Sequence, residues 1–190
     1  MVFGGMVNEY PVADDIMQEI LSYEAGLLNG RPNGRGGVFK ASMISIDNYV
    51  PEGKKVMATP DGRKAGEPLS KNIAPTTGMD RNGITALINS VSEIDYSEYP
   101  NGTVLDLMMH PSAVAGDDGL EAMYAVLMTY FKKGGISLHG NVFDASLLRK
   151  AQEEPEKYAN LQVRVCGWNA YFLDLTKEEQ EDFIKKAENL

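Results

Sequence analysis

Segments with helical periodicity alternate along this chain with short apolar runs, and that alternation limits the folds it can adopt. A helix is predicted over residues 12–29, with Asp14 near its start and Gly30 as its stop, and another over residues 120–133. The apolar face of the second helix comprises Leu120, Met123, Tyr124, Leu127, Met128 and Phe131. Strands are predicted at 38–50, 102–111 and 135–144. This order predicts an α/β fold with a largely parallel sheet.

Capping and turn residues set the remaining elements. A short helix is predicted over 83–94, and Asp144 is a natural N-cap for a helix over 145–154 that Pro155 interrupts. Thr176 and Glu179 form a capping box for a helix over 177–187. The many Gly and Pro residues between 51 and 83 predict a long structured loop.

The charge balance argues against polyanionic partners. The 190 residues, a length that suits one domain, include 18 basic and 27 acidic side chains, a formal charge of -9 that repels nucleic acid and anionic membranes. No apolar run approaches the roughly 20 residues that span a bilayer. The N-terminal stretch also lacks the basic start and apolar core of a secretion signal. We therefore expect a cytoplasmic protein with neither a nucleic-acid nor a membrane partner.

The chain has a single cysteine, Cys166. One thiol cannot form an intramolecular disulfide, a CxxC redox pair, a cysteine-rich zinc site or an iron–sulfur cluster held by the chain's own thiolates. An enzyme that uses two thiols would need a second one from elsewhere.

Several other candidate sites have ordinary structural interpretations. His110 and His139 lack the close carboxylate pairing of a metal site, so structural roles and no bound metal are expected. Residues 60–68, PDGRKAGEP, could present Arg63 or Lys64 to an anion, but they lack the spacing of a P-loop or a dinucleotide fingerprint. Four methionines are expected in the core: Met108, Met109, Met123 and Met128.

A bare glycine, Gly167, interrupts the strand-like run of residues 162–176, where it should weaken a strand. One interpretation is a bulge or a turn that needs positive φ. The other is chemical, because hydrogen abstraction from a glycine α-carbon leaves a radical that can become planar without a Cβ and delocalises over the neighbouring amides. Such a radical needs a water-free pocket, which four side chains could wall: Val165, Trp168, Tyr171 and Phe172.

The string RVCGWNAYF, residues 164–172, resembles the signature of the glycyl radical enzymes, Arg-Val-x-Gly-aromatic-x-x-x-Phe. Further segments resemble the family in the same order: RGGVFKAS, PDGRKAGEPLS, the stretch 74–95 and the stretch 134–165. The resemblance covers nearly the whole chain and points to the pyruvate formate-lyase-like group.

The resemblance implies a fold and a site. The chain would be the C-terminal part of a ten-stranded α/β barrel with the radical-glycine loop, in which residues 1–60 end the barrel domain and residues 61–190 form the glycine radical domain. Gly167 would carry the radical. Its loop would comprise Arg164, Val165, Cys166, Trp168, Tyr171 and Phe172, with Asn141 also expected nearby.

The resemblance also implies a mechanism with partners. An activating enzyme that uses S-adenosylmethionine and an iron–sulfur cluster would abstract hydrogen from Gly167, and the chain itself would bind no cofactor. The glycyl radical would then oxidise a cysteine to a thiyl radical, which attacks the substrate. The implied chemistry is anaerobic cleavage of C–C, C–N or C–O bonds in a small organic acid or alcohol. Formate C-acetyltransferases, decarboxylases, dehydratases and lyases fall within it.

The chain departs from the family pattern in ways that leave two hypotheses. It has no second cysteine and no Cys-x-Glu loop. Trp168 stands where the family more commonly has Tyr or Phe, and the chain ends in IKKAENL instead of Ile-x-Arg-Thr. These last two differences disfavour pyruvate formate-lyase itself. In the first hypothesis the chain is a radical-bearing segment or subunit that docks to a barrel subunit supplying the thiyl cysteine, in an assembly that can be oligomeric. In the second it is a non-catalytic truncated fragment, or a spare part that repairs an oxygen-damaged enzyme.

Overall fold

A computed structural model of the chain describes residues 10–46, 48–60, 62–165 and 167–188, and they form an α/β fold. In chain order the elements are α1 (Pro11–Leu28), α2 (Tyr49–Gly53), α3 (Gly83–Val91), β1 (Leu105–Met109), α4 (Gly116–Lys132), β2 (Leu138–Val142), α5 (Ala145–Glu153), β3 (Gln162–Val165), β4 (Trp168–Tyr171) and α6 (Lys177–Glu188). The helices predicted from capping and periodicity are confirmed, with their ends shifted by at most four residues.

Both predicted helix caps form. The Asp144 carboxylate accepts a hydrogen bond from the Ser146 backbone N–H at 2.7 Å and starts α5. At the start of α6, the Thr176 N–H donates to Glu179 Oε2 at 2.8 Å, and the Glu179 N–H donates back to Thr176 Oγ1 at 3.3 Å. These bonds satisfy donors that a helix N-terminus leaves unpaired.

Strands β1 and β2 form a parallel pair joined through α4. Leu105 and Leu107 on one face of β1 enter a core shared with α1, α3 and α4, in which Leu21, Tyr99 and Tyr130 are fully buried. Among the described residues the predicted parallel sheet is limited to this pair, because β3 and β4 form a separate antiparallel sheet.

A second core holds the C-terminal third together. It is built from α5, the β3–β4 hairpin and α6, with Leu148, Phe172 and Ile184 fully buried. Met108 packs against this second core, whereas its neighbours Leu107 and Met109 are buried on the opposite face of β1. Strand β1 therefore lies between the two cores.

The layer between the two cores is polar. Asp106 on β1 accepts a hydrogen bond from the Asn72 amide and lies 3.0 Å from Lys71 Nζ, and the Lys71 ammonium lies 5.5 Å from the ring centre of Phe183 on α6. Lys71 is buried, and Asp106 and the Phe183 ring are the partners that its side chain has there. Lys71 thus adds a polar connection between β1 and α6 to the apolar packing of Met108 against the second core.

The strand predicted over 38–50 is wrong. Over its described residues the segment is irregular and ends in α2. It makes two isolated bridges, Pro32–Val38 and Met43–Thr103. Its β-branched residues find no continuous neighbouring strand among the described residues, and Ile46 adopts φ +54°, which breaks the extended backbone.

The predicted core face of α4 is also largely wrong. Leu120, Tyr124 and Phe131 are exposed, and the helix is anchored instead by Gly119 and Tyr130, both buried. Gly119 is needed because a Cβ there would lie 2.4 Å from the Val114 backbone. Of the four methionines expected in the core, only Met109 is buried, and the other three are half-buried.

Across the described residues, none of the helices has the length and apolar character needed to cross a bilayer.

Candidate functional site

The strand pair around Gly167 is a tight hairpin. Strands β3 and β4 pair antiparallel, with Val165 opposite Trp168, so two residues make the connection. The second of them, Gly167, is exposed and has φ +101°. Cys166, the first, lies outside the described residues. Two-residue hairpin loops commonly need positive φ, so the turn interpretation of this glycine is confirmed.

The conformation, and not crowding, is what requires glycine at position 167. A Cβ built there would have no neighbouring heavy atom within 4 Å. At φ +101°, however, an L side chain is strained whatever the space around it. The α-carbon of Gly167 is therefore open to approach.

The alternation of side chains fixes which face of the hairpin is buried. Val163 and Val165 on β3 point into the second core, and Phe172 follows β4 into the same core. The Phe172 N–H donates to the Leu161 carbonyl at 2.8 Å, which extends the pairing beyond the two strands. The hairpin is thus held at its open end, and the loop end points away from the core.

The predicted pocket around Gly167 forms only in part. Val165 and Phe172 are buried as expected, but Trp168 and Tyr171 are 46% and 43% exposed. Both lie on β4, whose side chains are exposed except at half-buried Ala170. Among the described residues half of the expected wall faces solvent, so a water-free pocket around Gly167 stays a prediction.

Arg164 links the hairpin to the rest of the molecule through its backbone. Its N–H donates to Asn141 Oδ1 at 2.8 Å, and its carbonyl accepts from Asn141 Nδ2 at 3.2 Å. Asn141 is 5% exposed. The Arg164 guanidinium donates across the hairpin to Asn169 Oδ1 at 3.1 Å. Of the residues expected near the site, Asn141 therefore has a defined contact with the hairpin.

Next to this contact lies a cavity of about 380 Å³ between β1, α6 and the 71–84 segment. Its wall includes Lys71, Asp106, Met108, Asn141 and Phe183, so it combines an apolar surface with the polar layer described above. Asn141 is shared by the cavity wall and the hairpin attachment.

The two histidines occupy structural positions. His110 Nδ1 accepts a hydrogen bond from the Ser112 N–H at 3.2 Å and caps a short turn. His139 is buried with Nδ1 3.6 Å from Asp106 Oδ1, and burial lowers its pKa even though the Asp106 carboxylate acts to raise it. The described part of the chain contains no cluster of three His, Cys, Asp or Glu side chains that could hold a metal ion.

Arg63 is not accessible to an anion from solvent. It is 2% exposed, and its Nη atoms donate to four backbone carbonyls of its own loop, at Val56, Met57, Lys64 and Glu67. The idea that this loop presents Arg63 to a phosphate is therefore wrong. The guanidinium instead organises the loop from within.

Comparison with known proteins identifies the region that contains the hairpin. A protein-family model described as "Glycine radical" matches residues 69–173, which include both strands and Gly167.

Individual relatives match over nearly all of this chain. Trans-4-hydroxy-L-proline dehydratase of Clostridioides difficile is 35% identical over 95% of this chain and 23% of its own length. The 4-hydroxyphenylacetate decarboxylase glycyl radical subunit of Clostridium scatologenes is 37% identical over 97% of this chain and 20% of its own. A glycerol-bound glycerol dehydratase from Clostridium butyricum superposes with a TM-score of 0.91 and 38% identity, over 95% of this chain and 23% of that one. The chain thus spans under a quarter of each relative.

Proposed function

Because the chain belongs to the glycyl radical enzyme family, we propose that it stores the radical of such an enzyme on the α-carbon of Gly167. The observation that carries this proposal is the geometry of Gly167, which occupies an exposed two-residue hairpin loop at φ +101° with open space around its α-carbon. An α-carbon that loses a hydrogen atom becomes planar, and the absence of a Cβ removes the steric cost of that change.

In the proposed chemistry, two hydrogen-atom transfers bring the radical to the cysteine that acts on the substrate. An activating enzyme that uses S-adenosylmethionine and an iron–sulfur cluster takes one α-hydrogen from Gly167, which leaves the unpaired electron on carbon. Gly167 then takes a hydrogen atom from a cysteine thiol, so the glycine C–H bond is restored and a thiyl radical forms. The thiyl radical takes a hydrogen atom from the substrate and gives it back to the product radical. The re-formed thiyl radical then takes a hydrogen atom from Gly167, which restores the thiol and the glycyl radical.

We assign the thiyl cysteine to a part of the enzyme outside these 190 residues. The single cysteine, Cys166, adjoins Gly167, at a position to which the family resemblance gives no catalytic role. The exposed Trp168 and Tyr171 support docking of the hairpin into another part of the enzyme, because that would exclude water from the radical. In this proposal the chain forms the C-terminal part of a ten-stranded barrel and works in the cytoplasm.

The proposed reaction class is a dehydration, with decarboxylation as the second candidate. Two of the relatives above act as dehydratases on hydroxylated small molecules, as their names state, and this supports an alcohol or hydroxy acid as substrate. The decarboxylase relative is a named glycyl radical subunit, which supports a separate partner subunit in the second case.

Electron paramagnetic resonance after anaerobic incubation with an activating enzyme tests the proposal. We expect a doublet from the wild type and from Cys166→Ser, and none from Gly167→Ala. A wild type that gives no doublet, alone or with a barrel subunit that supplies the cysteine, would overturn it. That result would favour the alternative of a non-catalytic fragment. A spare part for a damaged enzyme would instead give the doublet only with the damaged parent enzyme present.

A further inference from the structure

We propose that Asn141 is the positioning residue that fixes the Gly167 hairpin against the parallel strand pair; the inference rests on the proposed radical role of Gly167. Asn141 stands on β2, which belongs to the first sheet, whereas Gly167 belongs to the second. No ladder joins β2 to β3 among the described strands. The side chain of Asn141 supplies hydrogen bonds where a ladder would otherwise run.

The pairing pattern of the hairpin explains why Arg164 is the point of attachment. In an antiparallel pair, residues that exchange backbone hydrogen bonds alternate with residues that do not. The Phe172 N–H bond to Leu161 sets that alternation, so the bonded positions on β3 are 163 and 165. Arg164, opposite Asn169, therefore directs its N–H and carbonyl away from β4.

Asn141 meets both of these groups with matching chemistry. Its Oδ1 accepts from the Arg164 N–H at 2.8 Å, and its Nδ2 donates to the Arg164 carbonyl at 3.2 Å. A side-chain amide presents its carbonyl oxygen and one of its two N–H groups side by side, so it can pair with the N–H and the carbonyl of one strand residue, as a residue of a neighbouring strand would. Aspartate lacks the donor and an apolar residue lacks both.

The attachment has little freedom to shift. Asn141 is 5% exposed and lies opposite Met108 in the parallel pair, so its backbone is held by β1. Arg164 is three residues before Gly167, and its guanidinium braces Asn169 on the other strand at 3.1 Å. The position of the radical carbon relative to β1 and β2 therefore depends on this side chain together with the packing of Met108 against the second core.

Amide hydrogen exchange of the 190-residue chain tests the attachment without any radical. In Asn141→Leu, which keeps the side-chain size, and in Asn141→Ala, we expect the Arg164 amide to exchange about tenfold or more faster than in the wild type. Amides of α3 should be unchanged, which would show that the rest of the chain stays folded. Asn101→Leu, the same change at an exposed turn outside the hairpin, is the matched control and should leave the Arg164 amide protected. Full protection in Asn141→Leu would overturn the inference, because packing alone would then suffice.

Electron paramagnetic resonance of the same variants tests the link to the radical. After activation we expect both Asn141 variants to hold at least about tenfold fewer spins per chain than the wild type and Asn101→Leu. Equal spin yields in all four proteins would overturn the positioning role while leaving the proposed function intact. A wild type without a doublet would instead overturn the proposed function and the positioning role together. The hydrogen bonds between Asn141 and Arg164 would then be tested by hydrogen exchange only.

Discussion

Gly167 satisfies two independent requirements at one position. The hairpin needs a residue at φ +101°, and a carbon-centred radical needs an α-carbon without a Cβ. The sequence alone left these as competing interpretations, because both predict a glycine in an apolar run. The structure confirms the turn, and the turn leaves the α-carbon open, so the conformational role and the proposed chemical role are compatible.

Replacing Gly167 should reveal the conformational requirement without any radical chemistry. Gly167→Ala places a Cβ at φ +101° and should lower the free energy of unfolding by about 1–2 kcal/mol. Gly26→Ala on α1, where a Cβ meets nothing within 4 Å, is the control and should raise that free energy by about 0.5–1 kcal/mol. Urea unfolding at neutral pH measures both. A Gly167→Ala variant as stable as the wild type would contradict the assigned turn.

Arg63 is a second residue whose role follows from its partners. Arg63→Met keeps much of the side-chain volume but leaves four backbone carbonyls without their donor. Because bonds to a charged donor are worth roughly 1.5–3 kcal/mol each, we expect a loss of at least about 3 kcal/mol in the free energy of unfolding. The exposed neighbour offers a control, Lys64→Met, which should change stability by less than about 0.5 kcal/mol. Equal unfolding midpoints for the two variants would show that the carbonyl cluster is not held by Arg63.

Among the elements, α6 is anchored by one buried carboxylate. Asp182 accepts hydrogen bonds from Tyr49 at 2.9 Å and Thr77 at 2.9 Å, and its Oδ2 lies 2.6 Å from Lys186 Nζ. Burial acts to raise the pKa of Asp182, but the Lys186 charge and these hydrogen bonds outweigh it, so the pKa is lowered. The helix is thereby tied to α2 and to the long loop.

The depressed pKa of Asp182 gives a prediction with a definite sign. A carboxyl group whose pKa is lower in the folded than in the unfolded chain stabilises the fold at any pH above its unfolded-state pKa. That contribution is lost as the pH falls through the folded-state pKa. Asp182→Asn should therefore lower the free energy of unfolding by about 3 kcal/mol at pH 7. The loss should become progressively smaller as the pH falls below 3.8, the ordinary pKa of an aspartate. Urea unfolding across pH 2–7 checks this, with Glu19→Gln on the exposed side of α1 as control. A difference between wild type and Asp182→Asn that grows on acidification would contradict the network.

Prediction from the sequence succeeded for elements that hydrogen bonds between nearby residues define. It failed for elements that depend on contacts with distant segments of the chain. The caps at Asp144 and Thr176 place α5 and α6 because their hydrogen bonds lie within a few residues. The segment 38–50 has β-forming residues, but a strand also needs a partner of similar length, which composition does not reveal. The Asn141 attachment to Arg164, separated by 23 residues, had no sequence signal beyond its place near a strand end.

At the scale of the whole molecule, several apolar surfaces face solvent. Four residues along the outer side of α1 are exposed, namely Val12, Ile16, Ile20 and Leu27, as are Trp168 and Tyr171 on the hairpin. Contiguous apolar patches of this kind mark interaction surfaces. The water-free pocket that the sequence predicted around Gly167 is incomplete among the described residues, because Trp168 and Tyr171 face solvent.

Substitutions on the outer face of α1 should leave the free energy of unfolding nearly unchanged. Ile16→Glu with Ile20→Glu should change the unfolding midpoint little, by less than about 0.5 kcal/mol in free energy, because both side chains already contact water. Binding of a hydrophobic dye should fall in the same variant. The matched change on the inner face, Leu21→Glu, should unfold the chain because it buries a charge. A large loss of stability in the outer-face variant would show that this face is already packed.

The central claim is that the unpaired electron resides on the α-carbon of Gly167, and isotope labelling tests it most directly. The expected doublet arises from coupling of the electron to the one remaining α-hydrogen. Chain prepared with glycine deuterated at the α-carbon and activated under anaerobic conditions should therefore give a single narrowed line, and unlabelled Gly167→Ala should give no signal. A doublet that survives deuteration, or one that persists in Gly167→Ala, would contradict the account.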